Sequence, residues 1–299
     1  MATALILGLR CCILACIAVG MLLAEHLQNA VNETWAWLLQ QWWFNSVYFE
    51  TVWAPVCFTV LLVPMYRLID SIPLFDRYKI DKKHRFIPFT ALEMLKTGVF
   101  YMAPLALLDT FMVKHYKGCG IDPMVWKIKR QTWVQTTRAL PAEPPSVALI
   151  PIHIVCALVV FDMFFFLVHY SLHKNAWLYK TFHALHHDHA TVDIHVTNQL
   201  TVVERIVLIL SANEGLKIVN SHPLTRAIYV PIFLWLLMEN HCVYDWPWGL
   251  DKLVPFGLMG GPARHFAHHV QGSGNYAPFF TYLDKLVKRT NGHSRKIGS

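Results

Sequence analysis

The sequence predicts an all-α, polytopic membrane helical bundle with a histidine-rich region gathered at one membrane face. Three observations carry that prediction. Of 299 residues, 55% are hydrophobic and only 15% are charged, too little charge to cover a soluble domain of this size. The apolar residues concentrate in four runs that reach or approach the length of a bilayer crossing. Seven of the 17 histidines, at 169, 173, 183, 186, 187, 189 and 195, fall within 27 residues behind the last run.

Residues 11–24 are 14 apolar residues behind Arg10, and extending them back to Ala2 makes a span broken only by that arginine. The length is that of a signal-peptide core. Because the rest of the chain supplies membrane helices of its own, residues 1–45 read as an uncleaved signal anchor and a lumenal segment after it. Residues 46–67 form a second span, in which Pro55 and Pro64 are tolerable where neighbouring helices satisfy the freed carbonyls. Residues 97–113, with Pro104 and Asp109, are a third and weaker one, and 46–145 is a region of spans and basic loops. Residues 147–168 are the strongest span, 22 residues with a single acid, Asp162. They open a region, 146–290, that holds the histidine boxes; 291–299 is a basic tail.

Residues 25–45 hold no Lys or Arg, whereas 67–96 hold seven against four acids. The positive-inside rule makes the first stretch lumenal and the second cytosolic, and alternation brings His169 and the later histidines of the region to the cytosolic face. Lys114, Lys117, Lys127, Lys129, Arg130 and Arg138 would then be lumenal, so residues 97–113 either cross against the rule or dip in and return. Two further apolar elements, 201–220 and 224–239, precede the last histidines. Both histidine regions must reach one site, so these elements form a hairpin or two interfacial helices.

The seven cysteines are odd in number, lack CxxC spacing and sit mostly in apolar runs, so they read as reduced packing residues. The net charge of +7 comes without a nucleic-acid motif, and basic loops against anionic lipid account for it. No nucleic acid partner is expected.

His169 and His173 are four residues apart, on one helix face and about 5–6 Å between Cβ atoms, so they can share a metal. His183, His186 and His187 repeat the HxxHH pattern of His265, His268 and His269. Positions i, i+3 and i+4 all face one way, and each box is a three-ligand comb. His241 is a ninth candidate. Nine neutral nitrogen donors exceed what one tetrahedral zinc can use, so two metals are the economical reading. Imidazole suits iron, copper, nickel and zinc alike; the lipid setting favours oxidation, the chemistry for which a buried alkyl chain needs a metal. Asp162 shares the helix face of His169 and His173, and its expected task is to accept an N–H from a metal-bound imidazole. The alternative is a carboxylate paired with a lysine at the interface.

Glu204, Glu239 and Asp245 are weaker candidates for the same task. His26, His84, His115 and His293 read as solvated or interfacial, His153 as a satisfied buried histidine, and His189 and His195 as neighbours of the second box. Trp177, Tyr179, Trp246 and Trp248 read as an interfacial aromatic belt.

The order HxxxH, HxxHH, HxxHH behind membrane spans resembles the fatty acid hydroxylase and sterol desaturase superfamily. Finer strings resemble the branch that hydroxylates a sterol side chain: FDM at 161–163, WLYKTFH at 177–183, HPLT at 222–225, LVPFG at 253–257, and NYAPFF at 275–280 with Asp284 behind it. The likeness spans residues 46–289. It implies a di-iron monooxygenase of the endoplasmic reticulum membrane that uses O2 and electrons from a separate cytochrome b5 or similar donor. The two irons would be held by His169, His173, His183, His186, His187, His265, His268 and His269. His241 joins them, because it matches the histidine before a Tyr-Asp-Trp-Pro-Trp string. The implied substrate is a lipid, a sterol first; sterol desaturases, C-4 methyl oxidases and acyl or sphingoid hydroxylases share the ligand set. A membrane zinc or haem protein without oxygenase activity is the rival from another class. A transporter would hold its ligands near the bilayer midplane, whereas these boxes are expected past the span ends. Phe164, Phe165 and Phe166 would offer bulky surface to a rigid or branched substrate, or pack against neighbouring helices.

Overall fold

Among the described residues, helices long and apolar enough to cross a bilayer occur four times, at Thr3–Leu22, Phe49–Asp70, Ala91–Phe111 and Leu149–Lys174, so the chain is a multi-pass membrane protein. The computed structural model describes residues 2–85, 87–112, 114, 116–119 and 136–288. Among them there is no strand, only isolated bridges. The helices that build the bundle are α1 (Ala2–Leu22), α2 (Ala24–Leu39), α3 (Phe49–Asp70), α4 (Ala91–Phe111), α5 (Leu149–Lys174), α6 (Val202–Ile218), α7 (Pro223–His241) and α8 (Pro262–Gln271).

Local chemistry sets several boundaries. The two prolines of α3 flank a π-helical stretch, Cys57–Leu62, a wide turn that absorbs the hydrogen bonds a proline removes. Thr59 Oγ1 adds a bond to the Pro55 carbonyl at 2.7 Å. Thr90 and Glu93 form a reciprocal capping box, which starts α4 six residues before its apolar run begins. Arg10, the interruption in the first apolar run, donates to the carbonyls of Leu253 and Lys252 at 2.9 Å each. It thereby satisfies the C-terminal carbonyls of the short helix Leu250–Leu253.

The bundle has two distinct ends. At one, the segment after α3 folds beneath the C-terminus of α7: Lys79 pairs with Asp70 at 2.8 Å, Tyr244 Oη donates to Asp70 at 2.7 Å, and Ile80 N donates to Val243 O at 2.7 Å. At the other, Arg138 N donates to Asn45 O and Val147 N to Gln28 Oε1, both at 2.8 Å, beside the N-terminus of α7. Helix α4 runs from Thr90 at the first end to Thr110, which lies 3.0 Å from Tyr48 Oη, at the second. It therefore crosses, and the dip-and-return alternative does not apply. Lys114 pairs with Asp109 at 2.7 Å, and buried Arg138 donates to Phe44 O at 3.1 Å. Two of the basic residues that offend the positive-inside rule are thus tied up inside the protein. Lys127, Lys129, Arg130, His115, His293 and the tail 291–299 lie outside the described residues.

Helices α6 and α7 form the hairpin, turning at Asn220, which has positive φ. α6 lies against α5 closely enough that a Cβ at Gly215 would sit 2.6 Å from Ala157 O. Phe161, Phe165, Phe233 and Phe279 fill the space between α5, α7 and the 276–280 segment. Phe165 and Phe166 are buried in this packing. None of the seven cysteines is in a disulfide. His84, expected to be solvated or interfacial, is buried 3.5 Å from Asp193, because the 70–90 segment folds inward under α7.

Candidate metal centre

Helix α5 continues past its apolar run to Lys174, so His169 and His173 lie on its last turns rather than beyond the span. Asn175 then caps a new turn by accepting from Trp177 N and Leu178 N at 3.0 Å each. The chain winds as a π turn over Tyr179–His183 and as α over Ala184–His187. His241 is the last residue of α7. His265, His268 and His269 come from α8, which Gly272 ends in the left-handed conformation.

These elements bring the nine expected histidines into two adjoining groups. His169, His173, His183, His187 and His268 form one and His186, His241, His265 and His269 the other; within each, one ring nitrogen per residue lies within 4.8 Å of all the rest. The comb expectation is corrected in one respect. Each HxxHH box divides, giving its i and i+4 imidazoles to one group and its i+3 imidazole to the other. The reason is angular: i and i+4 differ by about 40° around a helix, whereas i+3 and i+4 differ by about 100°.

Hydrogen bonds fix which nitrogen four of the rings present. His169 Nδ1 donates to Tyr276 O, His268 Nδ1 to Gly274 O and His241 Nδ1 to Leu237 O, each at 2.7 Å, and His183 Nδ1 donates to Glu204 Oε1 at 2.6 Å. A neutral imidazole that donates from Nδ1 carries only a lone pair at Nε2. Yet His169 Nε2 lies 3.1 Å from His183 Nε2, which is also 2.9 Å from His173 Nε2 and 3.1 Å from His187 Nε2. In the second group His241 Nε2 is 3.1 Å from His265 Nε2, itself 3.1 Å from His269 Nε2. His169 and His183 thus direct lone pair at lone pair, which no hydrogen bond can satisfy. A cation between them does, since metal–imidazole bonds of about 2.0–2.1 Å put neighbouring donors about 3 Å apart. Burial, and after it the adjacent imidazoles, pushes His183 down to about 2 and His187 to about 3. His186, His265, His268 and His269 are lowered for the same first reason. The rings are neutral donors, and the set fits two nitrogen-ligated metals.

Asp162 takes a different place from the expected one. It is fully buried, and its Oδ1 accepts from Phe279 N at 2.7 Å and Phe280 N at 3.0 Å. Seven residues of helix put it about 10 Å before His169, too far to touch that ring, so it meets the strap at 274–280 instead. That strap supplies the carbonyls that hold His169 and His268. Asp284 accepts from Tyr276 N at 2.9 Å and Ala277 N at 3.0 Å and pairs with Arg264, while Asn240 donates to Pro278 O at 2.6 Å.

The carboxylate that does bind a box histidine is Glu204, on the first turn of α6, where Thr201 caps the helix and bonds Phe182 O. Glu239 accepts from Tyr66 Oη and Asp245 pairs with Lys252, neither of them beside a box histidine. His189 Nε2 lies 3.0 Å from His269 Nδ1, whereas His195 bonds Ile87 O and stacks on Phe89. Tyr179, expected in an aromatic belt, packs against His173 with ring centroids 5.4 Å apart, and Trp246 is buried on Tyr244. Asp284 and the strap carbonyls were not separable from other loop residues by spacing; the Asn-Tyr-Ala-Pro-Phe-Phe string was their only signal.

Four apolar crossings with two nests of converging imidazoles at one end define a class, the helical membrane proteins with a histidine-built metal centre. The fatty acid hydroxylase family model matches residues 154–289, which contain every one of the nine histidines. Cholesterol 25-hydroxylase of Homo sapiens is 29% identical over 268 residues, 88% of this chain and 87% of the relative. A cholesterol 25-hydroxylase-like protein of Danio rerio is 30% identical over 88% of this chain and 96% of its own length, and another, cholesterol 25-hydroxylase-like protein 1, member 2, is 33% identical over 81% and 82%. No solved structure matches. The chain belongs to the fatty acid hydroxylase family. It is a membrane lipid hydroxylase, an oxidoreductase of a family that uses iron.

Proposed function

We propose that this chain is a di-iron sterol hydroxylase of the endoplasmic reticulum membrane, acting near the end of the sterol side chain with its metal centre at the cytosolic face. The observation that carries the two-metal reading is the convergence of nine imidazoles in two nests of five and four, four of them already donating from Nδ1. His169, His173, His183, His187 and His268 would hold one iron, and His186, His241, His265 and His269 the other. The irons supply the oxidising power that an unactivated C–H bond requires. The protein's own part is to fix the rings through Glu204 and the strap, keep them neutral by burial, and exclude water from the site. The reaction balances as R–H + O2 + 2e⁻ + 2H⁺ → R–OH + H2O. The electrons come from an outside donor, cytochrome b5 or a similar protein. Sterol as substrate is supported by the relatives' names. The cytosolic face is supported by the basic 67–96 segment, part of which packs at the histidine end.

The test is to purify the protein in detergent, measure iron, and incubate it with NADPH, cytochrome b5, its reductase and a panel of sterols, fatty acids and sphingoid bases. Two irons per chain and a sterol gaining one oxygen on its side chain are expected. Products confined to straight-chain lipids would overturn the sterol assignment, and zinc or haem in place of iron would overturn the oxygenase. Replacing any of the nine histidines by Ala should abolish turnover while the protein stays in the membrane. Full activity in two or more such variants would sink the ligand set.

A further inference from the structure

A cavity of about 540 Å³ lies among α3, α4, α6 and α7. Its rim, at the end of the bundle away from the histidines, carries the exposed residues Lys117, Lys217 and Asn220. Its interior divides by chemistry. Leu105, Leu108, Ala212, Leu216, Phe233 and Leu234 make the apolar part. The buried charges beside them already answer one another. Arg226 binds Glu50 through Nε at 2.8 Å and Nη2 at 2.9 Å and also reaches Asn213 Oδ1 at 2.6 Å. Asp109 takes the Thr51 hydroxyl at 2.5 Å and Lys114 at 2.7 Å. What remains is neutral. Tyr229 and Ser221 are among the residues around the cavity, only 1% and 6% exposed, and the hydroxyl of neither finds a hydrogen-bond partner among the described residues. A buried hydroxyl without a partner is rare and disfavoured.

We propose that this cavity is a lipid-alcohol site in which Tyr229 Oη pairs with the hydroxyl of an uncharged, largely apolar substrate, the ring hydroxyl of a sterol. This rests on the sterol reading above. In the interior a fatty acid carboxylate is the wrong ligand, because it would meet Glu50 and Asp109 while Arg226 is already saturated; Lys117 and Lys217 would draw such a head group to the rim instead. Tyr229 stacks on Phe233 with centroids 5.4 Å apart, and the apolar lining reaches Phe233 and Leu234, on the His241 side of Tyr229. Twelve residues of helix separate Tyr229 from His241, about 18 Å, the length scale of an extended sterol from ring hydroxyl to side-chain terminus. Tyr229 is thus a positioning residue: it measures the distance from hydroxyl to oxidised carbon.

The test uses the purified holoenzyme and two diazirine-bearing sterol photoprobes that differ only in the presence of the ring hydroxyl. Mapped by mass, the hydroxyl probe should label peptides within 209–234 at a concentration about tenfold below the deoxy probe, the value of roughly one hydrogen bond. Tyr229→Phe, which removes one oxygen, should equalise the probes and raise KM for the sterol about tenfold at unchanged kcat and iron content. Equal labelling of the unaltered enzyme by both probes, adducts elsewhere, or discrimination that survives Tyr229→Phe would overturn the site. The comparison on unaltered enzyme decides the question even if a variant misfolds. Hydroxyl-dependent labelling without sterol turnover would instead sink the functional reading and leave the cavity assignment standing.

Discussion

An imidazole is directed by what its other nitrogen binds, so at the scale of the residue the groups behind the histidines matter as much as the histidines. Glu204 is the strongest of these, a buried carboxylate 2.6 Å from His183 Nδ1. Glu204→Gln keeps an acceptor of the same shape and removes the charge. Partners of this kind are worth about 10–100-fold in metal affinity or activity, so iron content or turnover should fall by that factor with protein level unchanged. Unaltered iron and rate would make Glu204 a packing residue. Asp162 acts through backbone. Asp162→Ala strands the amides of Phe279 and Phe280, at about 1–3 kcal/mol each, and should loosen the strap, lowering thermal stability and iron occupancy together. A variant with wild-type stability would separate Asp162 from the site. The expected ligands were legible in the sequence because eight of them recur at helical spacing, and His241 because of the string it precedes. Their partners were less so: Glu204 and Asp162 look alike as isolated acids, and only three-dimensional reach assigns the imidazole to one and the strap to the other.

Elements position these residues through departures from regular geometry. The π turn at Tyr179–His183 shifts His183 relative to an ideal helix, and the strap exists because Gly272 and Gly274 adopt positive φ, which glycine permits without strain. Neither departure has a signature in composition, whereas the apolar runs behind α1, α3, α4 and α5 are marked by their length and hydropathy, which explains why spans were readable and the strap was not. The division of each HxxHH box between two nests stems from the 100° step alone and was open to inference. Packing of the hairpin on α5 depends on one small residue. At Gly215→Ala the new methyl would stand 2.6 Å from Ala157 O, so the helices must separate; overpacking of this kind costs about 1–3 kcal/mol. The variant should lose activity at a lower temperature than the parent, with kcat little changed below that point. An equal inactivation temperature would mean that α6 and α5 can shift freely.

At the scale of the molecule, the two ends of the bundle do different chemistry, and the orientation of the chain decides which compartment supplies electrons. The end that carries the histidines also holds Lys79, Lys82 and Lys83, while the other holds α2, which has no Lys or Arg. A negative cytoplasmic leaflet attracts the first arrangement. Lys82 and Lys83 are exposed, and so is Glu33 on α2, which makes them suitable reporters. Most native cysteines give little background, because Cys57 and Cys242 are buried and Cys11, Cys12, Cys16 and Cys156 lie on candidate membrane spans. In sealed microsomes carrying Cys119→Ser, a membrane-impermeant maleimide should modify Lys82→Cys directly and Glu33→Cys only after permeabilisation. The reverse pattern would turn the histidine end to the lumen and remove a cytosolic cytochrome as the donor, while leaving both nests and the cavity as they are. Modification of both positions in sealed vesicles would contradict the crossing of α3, because 33 and 82 are separated by that one helix. An odd number of crossings between them is the property on which the proposed separation of electron donor from the rim of the cavity depends.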